Sequence, residues 1–364
     1  MKASTSTISY FKNLDALRFF AFMGVFLSHT IVVTIENSFL DKLVTALTLD
    51  YLSVPFFFSL SSFLITYNLL KEKKETGKVV LLHFYKNRAL RIWPLYFTLI
   101  IIGFIIIPTA CKLIGIDTPT LPTLMPFLLF FVNYHIIENG LYFTFILMIL
   151  WSISIEEQFY LFWGALLKWM KRTWIIQSIL IILLISITYS YYNLSQPFLV
   201  IDTIFVLQNF CFGALTAWIV VERNNWVLKI IQAPRYIFLL PYFLLPIIYI
   251  YIDNVLIENI LKSICYASIL FDQTVNINRL INFGRSTFLN YLGKISYGLY
   301  IYHALIIEIV SKKFNFFDHN NQSVLINILH ISITLIITTI VAHFSFILIE
   351  QKFLSLKTKR SLSH

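Results

Sequence analysis

The segment "RFFAFMGVFLSHT", residues 18–30, decides the fold. Its body is apolar, and with its flanks (14–36) it has the length of a helix that crosses a bilayer. Yet it opens on Arg18 and carries His29 eleven residues later. At about 100° per residue, eleven steps return to nearly the same helix face, about 16 Å further along the axis. An ionisable group at membrane depth is costly against lipid, so such a stripe turns towards a protein interior or a polar cavity.

The remaining sequence extends this reading. Of 364 residues, 58% are hydrophobic, 17% aromatic and 13% charged, against roughly 25% charged in a soluble domain. Mean hydropathy is +0.78. Apolar runs recur at 14–36, 51–70, 93–112, 142–167, 174–194, 199–221, 236–252, 257–276, 295–314 and 324–349. They predict an all-α integral membrane protein with about ten transmembrane helices. No small-residue cleavage site follows the first run, which reads as a retained span. Cys111, Cys211 and Cys265 are far apart and show no metal-ligand or disulfide spacing.

The net charge of +10 is a topology signal. With the N-terminus inside, Lys42, Lys112, Lys262, Lys312 and Lys313 fall outside, and every other lysine and arginine falls on the inner side. Both termini are then cytoplasmic. The excess suits anionic membrane lipid and gives no reason to invoke nucleic acid. Residues 1–350 form one transmembrane domain and 351–364 a cytoplasmic tail, whose end, "LKTKRSLSH" (356–364), reads as disordered. The polar stretch "KEKKETGK" (71–78) reads as an inner loop. The basic segment 79–94 that follows reads as an inner amphipathic helix before the third span, ended or kinked by Pro94. Residues 121–140 are short and proline-broken, and read as a re-entrant helix on the outer side.

Four clusters carry possible chemistry. Arg18 with His29 is the first; Arg18 alone also fits a snorkelling anchor, and His29 a packed core histidine. In "WSISIEEQFYLFW" (151–163), Glu156 and Glu157 lie inside an apolar span, Glu156 at a depth close to that of His29. Neighbours about 100° apart cannot both face lipid; a structural bond to another span is the plainer reading of Glu157. In "FYKNRALRIWPLYF" (84–97), Arg88 and Arg91 share a helix face and suit phosphates or carboxylates, or are an ordinary basic flank. In "GKISYGLYIYHALI" (293–306), Tyr297, Tyr300 and His303 are spaced by threes on one stripe. Glu350, at the inner end of the last span, is placed to pair with an inner arginine.

No phosphate-binding, nucleophile-elbow, zinc-protease or dinucleotide motif occurs. The clusters, in this order, resemble the membrane-bound acyltransferase family 3, whose members O-acylate sugars and other cell-surface molecules. "LDALRFFAFMGVFLSH" is similar to the family's L-D-G-L-R-G opening with its following histidine. "VPFFFSLSSFLI" (54–65) looks like its S-G-F-L-I segment. The other three clusters match its R-x-x-R-I-x-P, W-S-L-x-x-E-x-x-F-Y and S-Y-x-x-Y-x-x-H patterns. Ala16, Phe19 and Ser62 stand where glycines are usual, and no proline follows His303 closely or Glu350 at E-x-P spacing.

The resemblance implies acyl transfer, most often of acetyl from acetyl-CoA or another acyl-CoA co-substrate, to a hydroxyl of a surface polysaccharide or lipid-linked sugar. It implies a multi-pass protein of the bacterial cytoplasmic (inner) membrane, in a stand-alone form without the hydrolase-like outer domain fused to some members. His29 is then the general base, while Arg18, Arg88 and Arg91 hold the donor's phosphates. Glu156 orients His29 or an arginine. Tyr297, Tyr300, His303 and Glu350 are supporting residues, with Tyr300 or His303 a donor to the developing oxyanion. No metal and no tightly bound cofactor is implied. The competing reading is a transporter or flippase of a lipid-linked glycan, with the same polar residues as its path; no inverted repeat or pair of broken helices stands out in its favour.

Overall fold

Long apolar runs have few ways to place their backbone in lipid, and the helix satisfies every peptide group within one segment. The computed structural model describes residues 11–31, 42, 46, 52–276, 279–314 and 324–357, and no strand occurs among them. Helix α1 runs Lys12–Thr30, α2 Val54–Thr76 and α3 Leu81–Leu113. Two short helices follow, α4 (Met125–Leu128) and α5 (Val132–Asn139). Then come α6 (Phe145–Trp169), α7 (Arg172–Tyr192), α8 (Thr203–Glu222), α9 (Arg235–Tyr251) and α10 (Val255–Val275). The short α11 (Thr287–Lys294), α12 (Ser296–Phe314) and α13 (Leu325–Ser355) end the bundle.

Six of these, α2, α3, α6, α7, α8 and α13, are long and apolar enough to cross a membrane. Helices α1, α10 and α12 have 19, 21 and 19 residues, and each carries charged side chains. The shorter α9 is apolar. Residues 32–36, the outer end expected for the first span, lie outside the described residues, as do 358–364 of the tail.

Several expectations are corrected. "KEKKETGK" is not a loop: α2 continues through it to Thr76 and is stopped by Gly77 in the left-handed conformation (φ 75°). Pro94 neither ends nor separates the basic segment, which is the first part of α3. Proline removes the donor to the Leu90 carbonyl, but neighbours secure the adjacent turns. Tyr297 Oη donates to the Ile92 carbonyl at 2.7 Å, and Thr98 Oγ1 to the Pro94 carbonyl at 2.7 Å. Helix α13 runs past Glu350 to Ser355.

The segment 121–140 forms α4 and α5, four and eight residues long, and at 1.5 Å per residue neither spans a bilayer. They are tied to the long helices instead. Tyr96 donates to the Phe127 carbonyl at 2.7 Å, and Gln158 Nε2 to the Phe130 carbonyl at 2.7 Å and Asn133 Oδ1 at 3.0 Å.

Two close approaches set the site. Helices α2 and α8 meet at Gly213, where a Cβ would lie 2.1 Å from the Ser59 carbonyl oxygen. Ser59 and Ser62 donate across this contact to the Asn209 and Phe210 carbonyls at 3.0 and 2.6 Å. Small and hydroxylated residues are what bring helix backbones together in lipid. At the basic end, a Cβ on Gly293 would sit 1.7 Å from the Asp15 carbonyl oxygen, so α11 lies directly on the first turns of α1.

Candidate active site

Helices α1, α2, α3, α6 and α12, with α11 at one end, enclose a cavity of about 610 Å³. Its basic end is lined by Arg18, Arg88, Arg91, Lys294 and Lys357, and its wall continues past Ser61 and Glu156 to Ser152 and Tyr300. Helix periodicity explains the grouping: Arg88 and Arg91 are one turn apart on α3, and Tyr297 and Tyr300 one turn apart on α12.

Four of these cations are held by neighbours. Arg18 pairs with Asp15 one turn before it. The Arg88 guanidinium lies 5.3 Å from the Tyr160 ring centroid, at a distance where the ring face attracts it. Arg91 donates to the Lys294 carbonyl at 3.3 Å, and the Lys294 ammonium lies 5.2 Å from the Phe346 ring centroid. Glu156 accepts from Ser61 Oγ at 2.8 Å and from Tyr160 Oη at 2.9 Å, and feels the charges of Arg88 and Arg18. It makes no hydrogen bond to His29 among the described residues. Glu157 is buried and accepts from Trp93 Nε1 at 3.3 Å, a structural bond to another helix.

His29 and His303 do not line the cavity; they form a pair beyond Tyr300. His29 Nδ1 lies 3.0 Å from His303 Nε2, with the rings nearly parallel (6°) and their centroids 5.3 Å apart. His303 Nδ1 is bonded to the Tyr300 carbonyl. A carbonyl only accepts, so His303 Nδ1 carries the proton and its Nε2 is a lone pair. His29 must then donate from Nδ1, which leaves His29 Nε2 as the unprotonated nitrogen. Both nitrogens of His303 are thereby occupied, and neither is free to donate to an oxyanion. The tyrosine hydroxyls are engaged too: Tyr297 donates to the Ile92 carbonyl, and Tyr300 Oη lies 2.6 Å from Ser152 Oγ and 3.1 Å from the Ile149 carbonyl.

Glu350 is buried and lies outside the lining; neither carboxylate oxygen has a hydrogen-bond partner among the described residues. Arg91 acts on it electrostatically, but no ion pair within 4 Å forms there. The sequence reading passed over Asp15, whose i,i+3 spacing to Arg18 was the available signal. It also left Lys294 and Lys357 without a role. Lys357 lies in the turn just beyond the end of α13 at Ser355. Among the described residues no group of three or more His, Cys, Asp or Glu side chains is arranged to hold a metal ion.

A bundle of apolar helices long enough to cross a membrane, with a cation-lined cavity near the His29–His303 pair, defines the class: a helical membrane protein. Residues 11–345 match the acyltransferase 3 family, described as an acyltransferase domain; the chain belongs to that family and is an acyltransferase. Over 190 residues it is 30% identical to O-acetyltransferase OatA of Staphylococcus aureus strain NCTC 8325, covering 49% of this chain and 29% of OatA. Over 165 residues it is 32% identical to a second S. aureus protein (strain COL), provisionally named an O-acetyltransferase, covering 43% of this chain and 25% of that protein. The matches thus span less than a third of these relatives' length. No solved structure matches the chain.

Proposed function

We infer that this chain moves an acetyl or similar acyl group from cytosolic acyl-CoA to a hydroxyl of a surface polysaccharide or lipid-linked sugar, in a bacterial cytoplasmic membrane. The observation that carries the reading is the cavity. Five cations gather at one end, and the other end stops at Tyr300, whose carbonyl anchors the histidine pair. The relatives' O-acetyltransferase names favour an oxygen acceptor and an acetyl donor. Ten spans with an inner N-terminus are supported by the six apolar helices, by α1, α9, α10 and α12 beside them, and by the basic residues gathered on one side.

In this reading the donor's phosphates lie among Arg18, Arg88 and Arg91, where forked guanidinium groups suit them. The pantetheine arm runs along the cavity past Ser61 and Glu156. His29 Nε2 takes the acceptor's hydroxyl proton as its oxygen attacks the acyl carbonyl carbon. The carbon–sulfur bond breaks, and the imidazolium returns the proton to the leaving thiolate. His303 accepts from His29 Nδ1, fixing the tautomer and steadying the ring while it is charged. Glu156 holds the cavity wall through Ser61 and Tyr160 and balances Arg88 and Arg18.

The test is His29→Ala, measured as transfer of radiolabelled acetyl from acetyl-CoA to host membranes carrying the protein. A general base contributes about 100- to 10,000-fold. A loss of at least about 100-fold at normal insertion levels is expected, and activity near that of the parent would sink the assignment. A transporter would show no acetyl-CoA-dependent release of CoA at all.

A further inference from the structure

Helix α13 does not stop at its last apolar residue. It continues through Gln351–Ser355 against α3, the helix that carries Arg88 and Arg91, and the turn beyond it brings Lys357 into the cavity lining. The lysine is half-buried there. Nearby acids are engaged elsewhere: Asp15 with Arg18, Glu156 with Ser61 and Tyr160, and Glu72 with the Val80 N–H at 3.1 Å. Among the described residues no carboxylate lies within 4 Å of the Lys357 ammonium. A half-buried ammonium without a counter-ion, facing guanidinium groups, is a site that an anion completes.

We propose that Lys357 binds the phosphates of the acyl donor, so that the segment after the last span straps the basic end of the cavity over a polyanionic ligand. The proposal rests on the reading of the cavity as an acyl-CoA site. Lys294 supplies a cation from α11 and Lys357 one from beyond α13, so the polyanion is gripped from both ends of the chain's second half as well as by α1 and α3.

A consequence follows for pH. Burial first, then the charges of Arg91, Arg88 and Arg18, holds the Lys357 pKa down at about 8. Lys294, His83 and Tyr297 also border the cavity, and Glu350 stands behind Arg91. Phosphates set among these cations favour the charged lysine and raise its pKa. At pH 7 the ammonium is present before the donor arrives; at pH 9 most of the empty protein must first take up a proton. If the bound lysine stays charged, affinity falls about tenfold between pH 7 and pH 9.

The experiment is equilibrium dialysis of radiolabelled acetyl-CoA against the purified full chain in detergent, without acceptor, at pH 7 and 9. The parent should lose about tenfold in affinity over that range. Lys357→Met should bind about tenfold more weakly at pH 7 and show no further loss at pH 9. Lys357→Arg should bind well at both, because guanidinium does not titrate there. Parent-like binding by Lys357→Met at pH 7, or the same pH loss in Lys357→Arg, overturns the proposal while leaving the donor site intact. No saturable binding by the parent, or full affinity in Arg88→Ala with Arg91→Ala, overturns the donor site and the proposal together.

Discussion

The histidine pair can be tested through its inner member. His303 is fully buried, donates from Nδ1 to the Tyr300 carbonyl, and offers Nε2 to His29 Nδ1 at 3.0 Å. During transfer His29 becomes an imidazolium, and its Nδ1–H then makes a hydrogen bond from a charged group, worth about 1.5–3 kcal/mol. That bond exists in full strength only once the proton has moved, so its loss falls on kcat, by about 10- to 150-fold. Two replacements separate chemistry from packing. His303→Leu fills most of the volume and has no polar atom. His303→Gln offers one acceptor and one donor, as the ring does. Acetyl transfer from acetyl-CoA to host membranes is followed for both, normalised to the amount of inserted protein. His303→Leu should lower kcat by about 10- to 150-fold with the KM for acetyl-CoA within about twofold, because His303 does not line the cavity. His303→Gln should recover a large part of the loss. A His303→Leu variant with parent-like kcat, or one whose defect lies in KM or in the amount of protein, refutes the tautomer argument.

Two further outcomes are expected. Arg88→Ala combined with Arg91→Ala should raise the KM for acetyl-CoA by at least about 100-fold with a much smaller change in kcat, since each charged phosphate contact is worth about 1.5–3 kcal/mol; initial rates over a range of donor concentrations decide it, and an unchanged KM would remove the arginines from the donor site. Gly213→Ala would place a Cβ 2.1 Å from the Ser59 carbonyl oxygen and 2.2 Å from Ser62 Oγ. Overpacking of this kind costs about 1–3 kcal/mol, so a clear fall in thermal midpoint in detergent is expected, and an unchanged midpoint would argue against the close α2–α8 contact.

The long helices were legible because lipid leaves the backbone few choices, and their apolar runs announce it. The span boundaries were not. The inner loop at 71–78 became helix because lysine and glutamate are good helix formers, and α2 had no reason to stop before Gly77. Pro94 misled because its local cost is real; what offsets it is Tyr297, some 200 residues away in sequence. Among the site residues, those related by one helix could be grouped by periodicity: Arg88 with Arg91, and Tyr297 with Tyr300 and His303. Contacts between helices could not. Depth counted from a span end set Glu156 beside His29, but the partners Glu156 takes are Ser61 and Tyr160. The His29–His303 bond joins positions 274 apart, and nothing local to either segment encodes it.

Tyr300 gives the site its unity. Its side chain is part of the cavity wall, and its hydroxyl is fixed by Ser152 and the Ile149 carbonyl. Its own carbonyl holds His303 Nδ1, and through that bond sets which nitrogen of His29 is bare. In the proposed reaction, the tip of the donor and the tautomer of His29 therefore depend on the same turn of α12. That turn is braced against α6 by Ser152 and, one turn earlier, against α3 by Tyr297. Helix α3 is also the helix that carries Arg88 and Arg91. The spacing of Tyr297, Tyr300 and His303 by threes serves this arrangement: one residue on each successive turn meets, in order, α3, the cavity wall and His29.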